Sequence, residues 1–350
     1  MNPIHAISPN SQPQMGATRN ISSHQPQPHT LSVVIPVCRG EKTLKKLVQE
    51  IISLNTSQNP IHLTQLHILE IILVWDGAQD NSAEVMKQLA EENPLIKNIW
   101  LSRNFGQHAA TLAGVAKSRG DWIATLDEDG LHSPFDIKDL ISTAVNGNHQ
   151  LVYGLSKTPS PHHPLRNASS AITHWMFKSI LGNEDRNDFS SFRLIRGDVG
   201  RSLSAYCGAG VYLDVALQWV TLTSGTCPVT LREEWRPSQS YSPFRLLSHF
   251  RRMVLSSPGT PLRAISLMGV FTIFLSFVLT AYALYQKFTG NVPVQGWTSL
   301  FILISFLFGI LMLSIGILAE YIGLILSISM GKPLYLVQSK PPIFKQPHSI

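Results

Sequence analysis

A run of acidic residues follows a short apolar segment near the middle of the chain. Asp127, Glu128 and Asp129 come directly after Trp122–Leu126, whose apolar residues predict a buried strand. The acids would then emerge at the C-terminal end of this strand, the edge at which open α/β sheets bind ligands. Crowded carboxylates favour a cation, and Mg²⁺ or Mn²⁺ accepts such oxygen ligands and shares them with phosphates. Asp127 and Asp129 are therefore candidate metal ligands, although acids two residues apart also occur in solvated turns.

Two earlier apolar runs lead into polar loops that could approach a nucleotide. Leu31–Val37 predicts a first strand that leaves the sheet at Pro36, and Glu41 opens the helix that follows. Ile68–Val74 predicts a second strand, which is followed by Asp76 and a glycine. An acid in this position can hydrogen-bond a base or a ribose, or it can belong to a turn that caps the next helix. Both interpretations remain open from the residues alone.

The order of the predicted elements indicates the fold class. Further strands are predicted over Asn98–Ser102, Leu151–Gly154 and Val229–Trp235, and a packing helix is predicted over Ala168–Leu181. Alternation of strands and helices predicts an α/β domain with a parallel sheet and right-handed crossovers. The loops after the first strands would then lie together at the C-terminal edge of this sheet, beside the acidic run.

The chain is uneven in composition. Of its 350 residues, 14% are charged and 44% are hydrophobic, and the apolar residues concentrate after Leu262. Ile265–Tyr285 and Trp297–Ala319 contain no Lys, Arg, Asp or Glu, and each approaches the ~20 residues that cross a bilayer. These segments predict two transmembrane helices, the second of which continues along the interface to Met330.

Basic residues flank the predicted membrane segments. They occur before the first segment and after the second, at Arg245, Arg251, Arg252, Arg263, Lys332, Lys340 and Lys345. The connecting loop carries only Lys287. The positive-inside rule therefore predicts a multi-pass protein of the inner (cytoplasmic) membrane, with the soluble domain and both termini in the cytoplasm. A membrane surface also explains the net charge of +6, so no nucleic acid partner is expected.

These features predict five consecutive parts of the chain. The first is rich in Pro, Gln, Ser, Asn and His, which predicts disorder, and it lacks the pattern of a cleaved signal peptide. The widely spaced cysteines Cys38, Cys207 and Cys227 predict neither a disulfide framework nor a zinc site. The predicted parts are a disordered tail (1–29), an α/β domain (30–242), an amphipathic juxtamembrane helix (243–263), a two-helix membrane domain (264–330) and a cytoplasmic tail (331–350).

Several short motifs occur in a fixed order along the α/β domain. They are Val-Ile-Pro-Val37 with Glu41, Val74-Trp-Asp-Gly77, Ser102-Arg-Asn-Phe-Gly106, Ala113-Gly114 and Leu126-Asp-Glu-Asp129. This set resembles the nucleotide-diphosphosugar domain of glycosyltransferase family 2, and within it the polyprenyl-phosphate (dolichol-phosphate type) glycosyltransferases. The resemblance extends from about Leu31 to Val337. It implies a GT-A domain, a Rossmann-like nucleotide-diphosphosugar transferase fold.

The resemblance also implies roles for individual residues. Glu41 and Asp76 would contact the nucleoside, while Asp127 and Asp129 would engage Mg²⁺ or Mn²⁺ and the diphosphate. The other candidates for the nucleotide-sugar site lie in the same motifs and are Pro36, Arg103, Asn104 and Gly106. The catalytic candidates are Asp127, Asp129 and Asp188, the last two as weak bases, because an anionic phosphate nucleophile needs no strong base.

Two later segments resemble the acceptor side of the family's site. Arg193 follows Phe192 in a Phe-Arg-Leu motif, and its guanidinium could pair a phosphate or belong to a buried ion pair; both alternatives stay open. The segment before the membrane part resembles a family segment that clamps substrate phosphates. Its candidates are Arg232, Arg236 and Tyr241, with Arg236 favoured over Arg232.

The expected function is transfer of one sugar from a nucleotide diphosphosugar, a UDP-sugar, to a polyprenyl phosphate such as undecaprenyl phosphate. Export of the lipid product would need a separate flippase, and a homo-oligomeric assembly is left open. Trp75 stands where the family usually has an acid, and Leu131 stands where it often has Gln. The alternative is therefore a catalytically degenerate homologue that binds nucleotide sugar or lipid as a scaffold. A processive polysaccharide synthase is disfavoured, because no Gln-x-x-Arg-Trp motif is found.

Overall fold

The part of the chain that the structure describes contains eight strands, seven α-helices with defined bounds and a short 3₁₀ helix (Pro134–Asp136). The computed structural model describes residues 29–56, 66–78, 80–156, 189–208, 212–232 and 296–341, with scattered positions between 265 and 289. The strands are β1 (His29–Val37), β2 (Leu66–Trp75), β3 (Ile96–Leu101), β4 (Trp122–Thr125), β5 (Leu151–Ser156), β6 (Arg193–Arg196), β7 (Ser224–Val229) and β8 (Val337–Gln338). The helices are α1 (Leu44–Thr56), α2 (Ser82–Glu92), α3 (Gln107–Lys117), α4 (Ile137–Asn146), α5 (Gly197–Tyr206), α6 (Leu213–Val220) and α7 (Trp297–Ser329).

All eight strands form one sheet in the order β7-β5-β6-β4-β1-β2-β3-β8. β1 pairs in parallel with β2 and β4, and β2 pairs in parallel with β3, as the alternating pattern predicts. β6 is antiparallel to both β4 and β5, and β8 is antiparallel to β3. The predicted parallel pairing is therefore found for β1–β4, whereas the sheet as a whole is mixed. Strands as short as β6 and β8 leave too little periodicity in the sequence to be found.

The last predicted strand of the soluble domain is misplaced. The prediction was a strand over Val229–Trp235, but the observed strand, β7, ends at Val229. Thr230–Arg232 are irregular, and the last three residues of the predicted strand lie outside the described residues. β7 contains Gly225 and Pro228, which have low strand propensity and so conceal it in the sequence. Its place at the edge of the sheet explains why a proline is tolerated.

Apolar side chains bury both faces of the sheet. One core cluster joins the sheet to α1, α2 and α4, and a second joins it to α3, α5 and α6. Gly114 allows α3 to lie very close to β1, because a Cβ atom there would be 2.3 Å from Cγ1 of Val34. The three-layer arrangement leaves the loops at the strand ends free to form a site.

α7 is the predicted second membrane helix. Its segment Phe306–Ser329 has a mean hydropathy of 2.1 and is long and apolar enough to cross a membrane. The helix continues beyond Ala319 to Ser329, as predicted. Among the described residues no second helix meets the same criteria. The described positions of the predicted first span are helical, and the other nine of the 21 residues in Ile265–Tyr285 lie outside the described residues.

The chain returns to the sheet after α7. Gly331 adopts a φ of +67° where the helix ends, and Leu334 and Tyr335 then pack against the second core cluster. β8 covers the outer edge of β3, and the Ser102 backbone N–H donates to the carbonyl oxygen of Leu336 at 2.8 Å. Residues 334–338, the return segment, thus belong to the soluble domain and not to a free tail.

Several predicted segments cannot be compared with the structure. The predicted disordered tail except His29, the helix over Ala168–Leu181 and the amphipathic helix over 243–263 lie outside the described residues. His29 itself is the first residue of β1, one position before the predicted domain boundary.

Candidate active site

The loops after β1, β2 and β4 meet at one edge of the sheet. The Asp76 N–H donates to the carbonyl oxygen of Val37 at 2.8 Å, and the Leu126 N–H donates to that of Val34 at 3.1 Å. These bonds extend the parallel pairing of the three strands into their C-terminal loops. The structure therefore brings Asp76 and the acidic run to the same C-terminal edge of the sheet, and binding of a ligand there stays a prediction.

Asp127 is held from two sides by neutral side chains. Nε2 of Gln107, at the start of α3, donates to Oδ1 at 2.5 Å, and Oγ of Ser191 donates to Oδ2 at 2.6 Å. Burial raises the pKa of Asp127 to about 6; the hydrogen bond from Ser191 opposes the shift and the charge of Asp129 adds to it. The carboxylate therefore has a fixed orientation and negative charge that its surroundings do not fully compensate.

Asp129 lies two residues further along the same loop. Its Oδ1 accepts a hydrogen bond from the Leu131 N–H at 3.0 Å, and Gly130 makes the intervening turn with a φ of +75°. Among the described residues, this backbone amide is the only donor bonded to Asp129. Much of the carboxylate's capacity to accept remains available, since an ionised carboxylate has about four acceptor positions.

Asp127 and Asp129 fit a hard divalent cation as part of its ligand shell. Among the described residues, no three His, Cys, Asp or Glu side chains are grouped so that they could hold a metal ion on their own. Magnesium, however, is commonly bound through one or two carboxylates, with substrate phosphates and water completing the shell. Burial, and to a lesser extent the charge of Asp129, raise the pKa of Asp127 and so disfavour its ionised form; a bound cation would favour that form.

Glu128, between the two aspartates, has a different environment. Its Oε2 accepts the Cys38 N–H at 2.6 Å, and its Oε1 accepts the Arg39 N–H at 2.8 Å. The residue is buried. Glu128 thus joins the acidic loop to the loop after β1, a role that its position between two aspartates does not reveal in the sequence.

Asp76 organises the loop after β3. Both of its carboxylate oxygens accept backbone N–H groups, from Phe105 at 2.7 Å and from Gly106 at 2.9 Å. Nδ2 of Asn104 donates to the Asp76 carbonyl oxygen at 2.8 Å. Burial raises the pKa of Asp76, and the two amide hydrogen bonds oppose this shift. The structure therefore brings Asp76, Asn104 and Gly106 together, while their contact with a nucleotide stays a prediction.

Glycine is required where these loops touch. Gly77 has a φ of +71°, and a Cβ atom there would lie 2.6 Å from the backbone nitrogen of Asn104. Gly106 has a φ of +94° at the start of α3. Both conformations are unfavourable for residues with side chains, so the motif glycines have a structural reason.

The other nucleotide-site candidates differ in exposure. Glu41 is exposed, and its Oε1 accepts from Nδ2 of Asn81 at 3.2 Å. Arg103 is also exposed, with its guanidinium carbon 4.7 Å from the centre of the Phe105 ring. Pro36 is buried within β1. Glu41 and Arg103 are therefore available to solvent at the site, and a nucleotide contact for all three residues stays a prediction.

Trp75 is a core residue. Its side chain is buried, and its ring centre lies 6.5 Å from that of Trp100 on the neighbouring strand. The tryptophan that stands here in place of the family's usual acid therefore adds to core packing and leaves Asp76 in place at the end of β2.

Arg193 is buried in an ion pair. Its Nη1 contacts Oδ1 of Asp214, which also accepts the Tyr153 hydroxyl at 3.2 Å. Burial raises the pKa of Asp214, and the charge of Arg193 opposes this shift. Of the two alternatives for Arg193, the structure shows the buried ion pair. Contact with an acceptor phosphate stays a prediction.

Arg232 also has structural partners. Its Nη1 donates to Oε2 of Glu50 at 2.7 Å, and its Nη2 donates to Oγ of Ser133 at 2.6 Å. Contact of Arg232 with an acceptor phosphate stays a prediction. Asp188, Arg236 and Tyr241 lie outside the described residues.

Three residues that contact the site carboxylates or loops were missing from the predicted set. They are Gln107, Glu128 and Ser191. Gln107 directly follows the Arg103–Gly106 motif, and Ser191 lies just before Arg193. Their proximity to the family motifs was the available signal, but which side chain turns towards Asp127 depends on the tertiary structure.

Comparison with known proteins identifies this domain. The sequence model described as "Glycosyl transferase family 2" matches residues 32–198, which include Asp76, Asp127 and Asp129. Together with the relatives described next, this match shows that the chain is a glycosyltransferase. The match and the mixed sheet confirm the expected GT-A-like α/β fold.

Two relatives of this glycosyltransferase align over most of its length. The undecaprenyl-phosphate 4-deoxy-4-formamido-L-arabinose transferase of Pseudomonas aeruginosa (strain LESB58) is 28% identical over 312 residues, covering 88% of this chain and 89% of the relative. The bactoprenol glucosyl transferase of Shigella phage SfX is 23% identical over 313 residues, covering 89% of this chain and 99% of the relative.

A solved structure shows a weaker likeness. It is the glucosyl-3-phosphoglycerate synthase from Mycobacterium tuberculosis in complex with Mn²⁺ and uridine-diphosphate-glucose. Its TM-score is 0.46 at 16% identity, covering 65% of this chain and 77% of that one.

Proposed function

We propose that this glycosyltransferase moves one sugar from a nucleotide diphosphosugar, a UDP-sugar, to a polyprenyl phosphate such as undecaprenyl phosphate. The observation that carries the proposal is the convergence of Asp127 and Asp129 with the Asp76 loop at the C-terminal edge of the sheet. The names of the aligned relatives, which act on undecaprenyl phosphate or bactoprenol, support the choice of acceptor.

The reaction proposed is an in-line displacement at the anomeric carbon. An oxygen of the lipid phosphate forms a bond to this carbon while the bond to the donor diphosphate breaks, and the nucleoside diphosphate leaves with the bonding electrons. Asp127 and Asp129 would hold Mg²⁺ or Mn²⁺, which supplies stabilisation of the charge on the leaving diphosphate. Because the attacking phosphate is already anionic, Asp129 and Asp188 are proposed as bases only in a weak sense.

The acceptor phosphate is proposed to meet cationic side chains near the membrane. Arg193 pairs with Asp214 and Arg232 pairs with Glu50, so both have protein partners in the structure. Arg236, with Tyr241, is therefore the favoured phosphate ligand. Glu41 and Asp76 are proposed to contact the nucleoside, with Pro36, Arg103, Asn104 and Gly106 around it.

We further propose that α7 and the predicted span over Ile265–Tyr285 anchor the enzyme in the inner membrane, with the catalytic domain and both termini cytoplasmic. The return segment supports this arrangement, because it connects the end of α7 to β3 beside the site. The isoprenoid tail would remain in the bilayer while its phosphate reaches the site. Two spans are too few for an export channel, so a separate flippase would move the product; a homo-oligomer is left to experiment.

Product formation tests the function directly. Full-length protein in detergent would be incubated with undecaprenyl phosphate, Mn²⁺ or Mg²⁺, and a panel of UDP-, GDP- and dTDP-sugars, and lipid-linked product would be followed by mass spectrometry. One donor should give product, and Asp127→Asn and Asp129→Asn should each lower the rate about 100-fold, since a lost metal contact removes several kcal/mol of stabilisation.

Asp139→Asn is the matched control, because Asp139 is an exposed aspartate on α4. It should retain the wild-type rate. Absence of product from every donor, with nucleotide sugar still bound, would favour the scaffold alternative. Single cysteines introduced at Lys287 and at Lys340 would test the topology: in spheroplasts, an impermeant maleimide should label only the first.

A further inference from the structure

The Glu128 side chain joins the acidic loop to the loop after β1. Each oxygen of the Glu128 carboxylate accepts a backbone N–H, one from Cys38 at 2.6 Å and the other from Arg39 at 2.8 Å. The residue is only 8% exposed. Hydrogen bonds to an ionised acceptor are about twice as strong as neutral ones, and burial protects them from competition by water.

The loop after β1 is also fixed at its far side. The Gly40 N–H donates to Oγ of Ser82 at 2.8 Å, and the Glu41 N–H contacts Oδ2 of Asp80 at 3.3 Å. This loop therefore bridges the start of α2 and the acidic loop, and Glu128 is its connection to the latter. Glu41, the proposed nucleoside contact, is carried by the same loop.

The arrangement separates the roles of the three consecutive acids. Asp127 is held by side chains, and Asp129 accepts the Leu131 N–H in its own loop. Glu128 instead directs both oxygens towards the backbone N–H groups of another loop. A cation coordinated by Glu128 would approach two N–H dipoles whose positive ends already face the carboxylate, and these dipoles would repel it.

We propose that Glu128 is a positioning residue that sets the separation between the two ends of the donor site. It would fix the nucleoside loop, with Glu41, relative to the diphosphate loop, with Asp127 and Asp129, and it is not a third metal ligand. The inference rests on the proposed nucleotide-sugar function. Geometry matters here because a donor that touches both loops is bound tightly only at one separation of the two loops.

Glu128→Gln is the sharpest test, because it keeps the size of the side chain. The amide nitrogen of the glutamine cannot accept a hydrogen bond. Either the Cys38 or the Arg39 N–H would therefore face a donor and lose its hydrogen bond. Three quantities would be measured on full-length protein in detergent: the Kd of Mn²⁺ alone by electron paramagnetic resonance, the Kd of UDP, GDP and dTDP with Mn²⁺ by calorimetry, and kcat and KM for the donor. Glu84→Gln, on the exposed face of α2, is the matched control.

We expect Glu128→Gln to weaken binding of the preferred nucleotide, and to raise the donor KM, by about tenfold. The Kd of Mn²⁺ alone and kcat should stay within about threefold of wild type. Glu128→Ala should have a larger effect in the same direction. The melting temperature of each variant would be recorded, and the binding data would be taken well below it, so that a loss of fold is separated from a loss of positioning.

Two results would overturn the proposal while leaving the donor site intact. Weaker binding of Mn²⁺ alone, comparable to that of Asp127→Asn, would make Glu128 a metal ligand. Unchanged nucleotide affinity with a lower melting temperature would make it a purely structural residue. Failure of wild-type protein to bind any of the three nucleotides would instead contradict the proposed function, and the role of Glu128 would fall with it.

Discussion

Oγ of Ser191 lies 2.6 Å from Oδ2 of Asp127, although the two residues are separated by the whole of α4 and β5. The antiparallel pairing of β6 with β4 places Arg193 opposite Thr125, just before the acidic loop. Oγ1 of Thr125 donates to the carbonyl oxygen of Ser191 at 2.6 Å and fixes its backbone. The antiparallel strand β6 therefore places the Ser191 hydroxyl against the Asp127 carboxylate, which follows β4.

Ser191→Ala should lower donor turnover by about tenfold, because it removes a hydrogen bond to a charged group and frees the rotamer of Asp127. Steady-state rates with saturating lipid acceptor would measure this effect. Ser190→Ala is the neighbouring control, since Oγ of Ser190 accepts from the Phe192 N–H. Equal rates for both variants would show that the orientation of Asp127 does not depend on Ser191.

Removal of either partner of the buried Arg193–Asp214 pair should destabilise the domain. Arg193→Met leaves the Asp214 carboxylate buried without its cation, and such a change costs about 3–5 kcal/mol of unfolding free energy. Urea unfolding followed by tryptophan fluorescence would measure it. The double variant Arg193→Met/Asp214→Leu should recover much of the lost stability, because no unpaired charge remains.

The same variants distinguish a structural role of Arg193 from a role in binding the acceptor phosphate. If Arg193 chiefly binds the acceptor phosphate, Arg193→Met will raise the KM for undecaprenyl phosphate and leave the unfolding midpoint unchanged. Arg196→Met is the control, since Arg196 forms an exposed pair with Asp198 and should alter neither quantity appreciably.

Glu70 should make the stability of the domain sensitive to acid. Burial alone would raise the pKa of Glu70, but hydrogen bonds from Lys97, Ser32 and the Arg119 backbone outweigh it and hold the pKa below its usual value. A lowered folded-state pKa contributes stability above the unfolded pKa, which is about 4.3, and this contribution is lost as the pH falls through the folded value.

Comparison of wild type with Glu70→Gln tests this dependence. The variant should melt at a lower temperature than wild type at pH 7, and the difference should shrink as the pH falls below about 4.3. Glu84→Gln, which removes an exposed carboxylate paired with Lys87, should show little difference at either pH. A gap between wild type and Glu70→Gln that stays constant down to about pH 3 would contradict the assignment.

Truncation after Lys332 should loosen the edge of the sheet beside the site. It removes β8 and the carbonyl oxygen of Leu336, which accepts the Ser102 N–H. Hydrogen exchange at Ser102 should become faster, and turnover should fall because the neighbouring Phe105 and Gly106 N–H groups hold the Asp76 carboxylate. Truncation after Pro341 retains the pairing and should exchange like the full chain. Equal protection of Ser102 in both truncations would contradict this coupling.

The sequence was most informative where periodicity and chemistry coincide. The apolar runs before Pro36, Asp76 and Asp127 predicted β1, β2 and β4, and the end of each strand placed its polar loop at the correct edge. The apolar run of α7 was equally clear, since a helix of about 20 uncharged residues matches the thickness of a bilayer core. In each case the deciding interactions lie close together in the sequence.

Contacts between distant segments could not be predicted in this way. Nothing in the spacing shows that Ser191 faces Asp127 or that Glu128 faces the loop after β1, because both contacts arise from strand pairing. The partner of Arg193 illustrates the same limit. The motif contains the cation, but its carboxylate, Asp214, is supplied by α6, which no acidic pattern marks.

The return of the chain from α7 to β3 has a consequence for protein synthesis. The outer edge of β3 is covered by residues that the ribosome makes after the whole of α7. During translation, that edge presents unpaired backbone groups until Val337 and Gln338 arrive. The sheet can therefore be completed at this edge only after the whole of α7 has been synthesised.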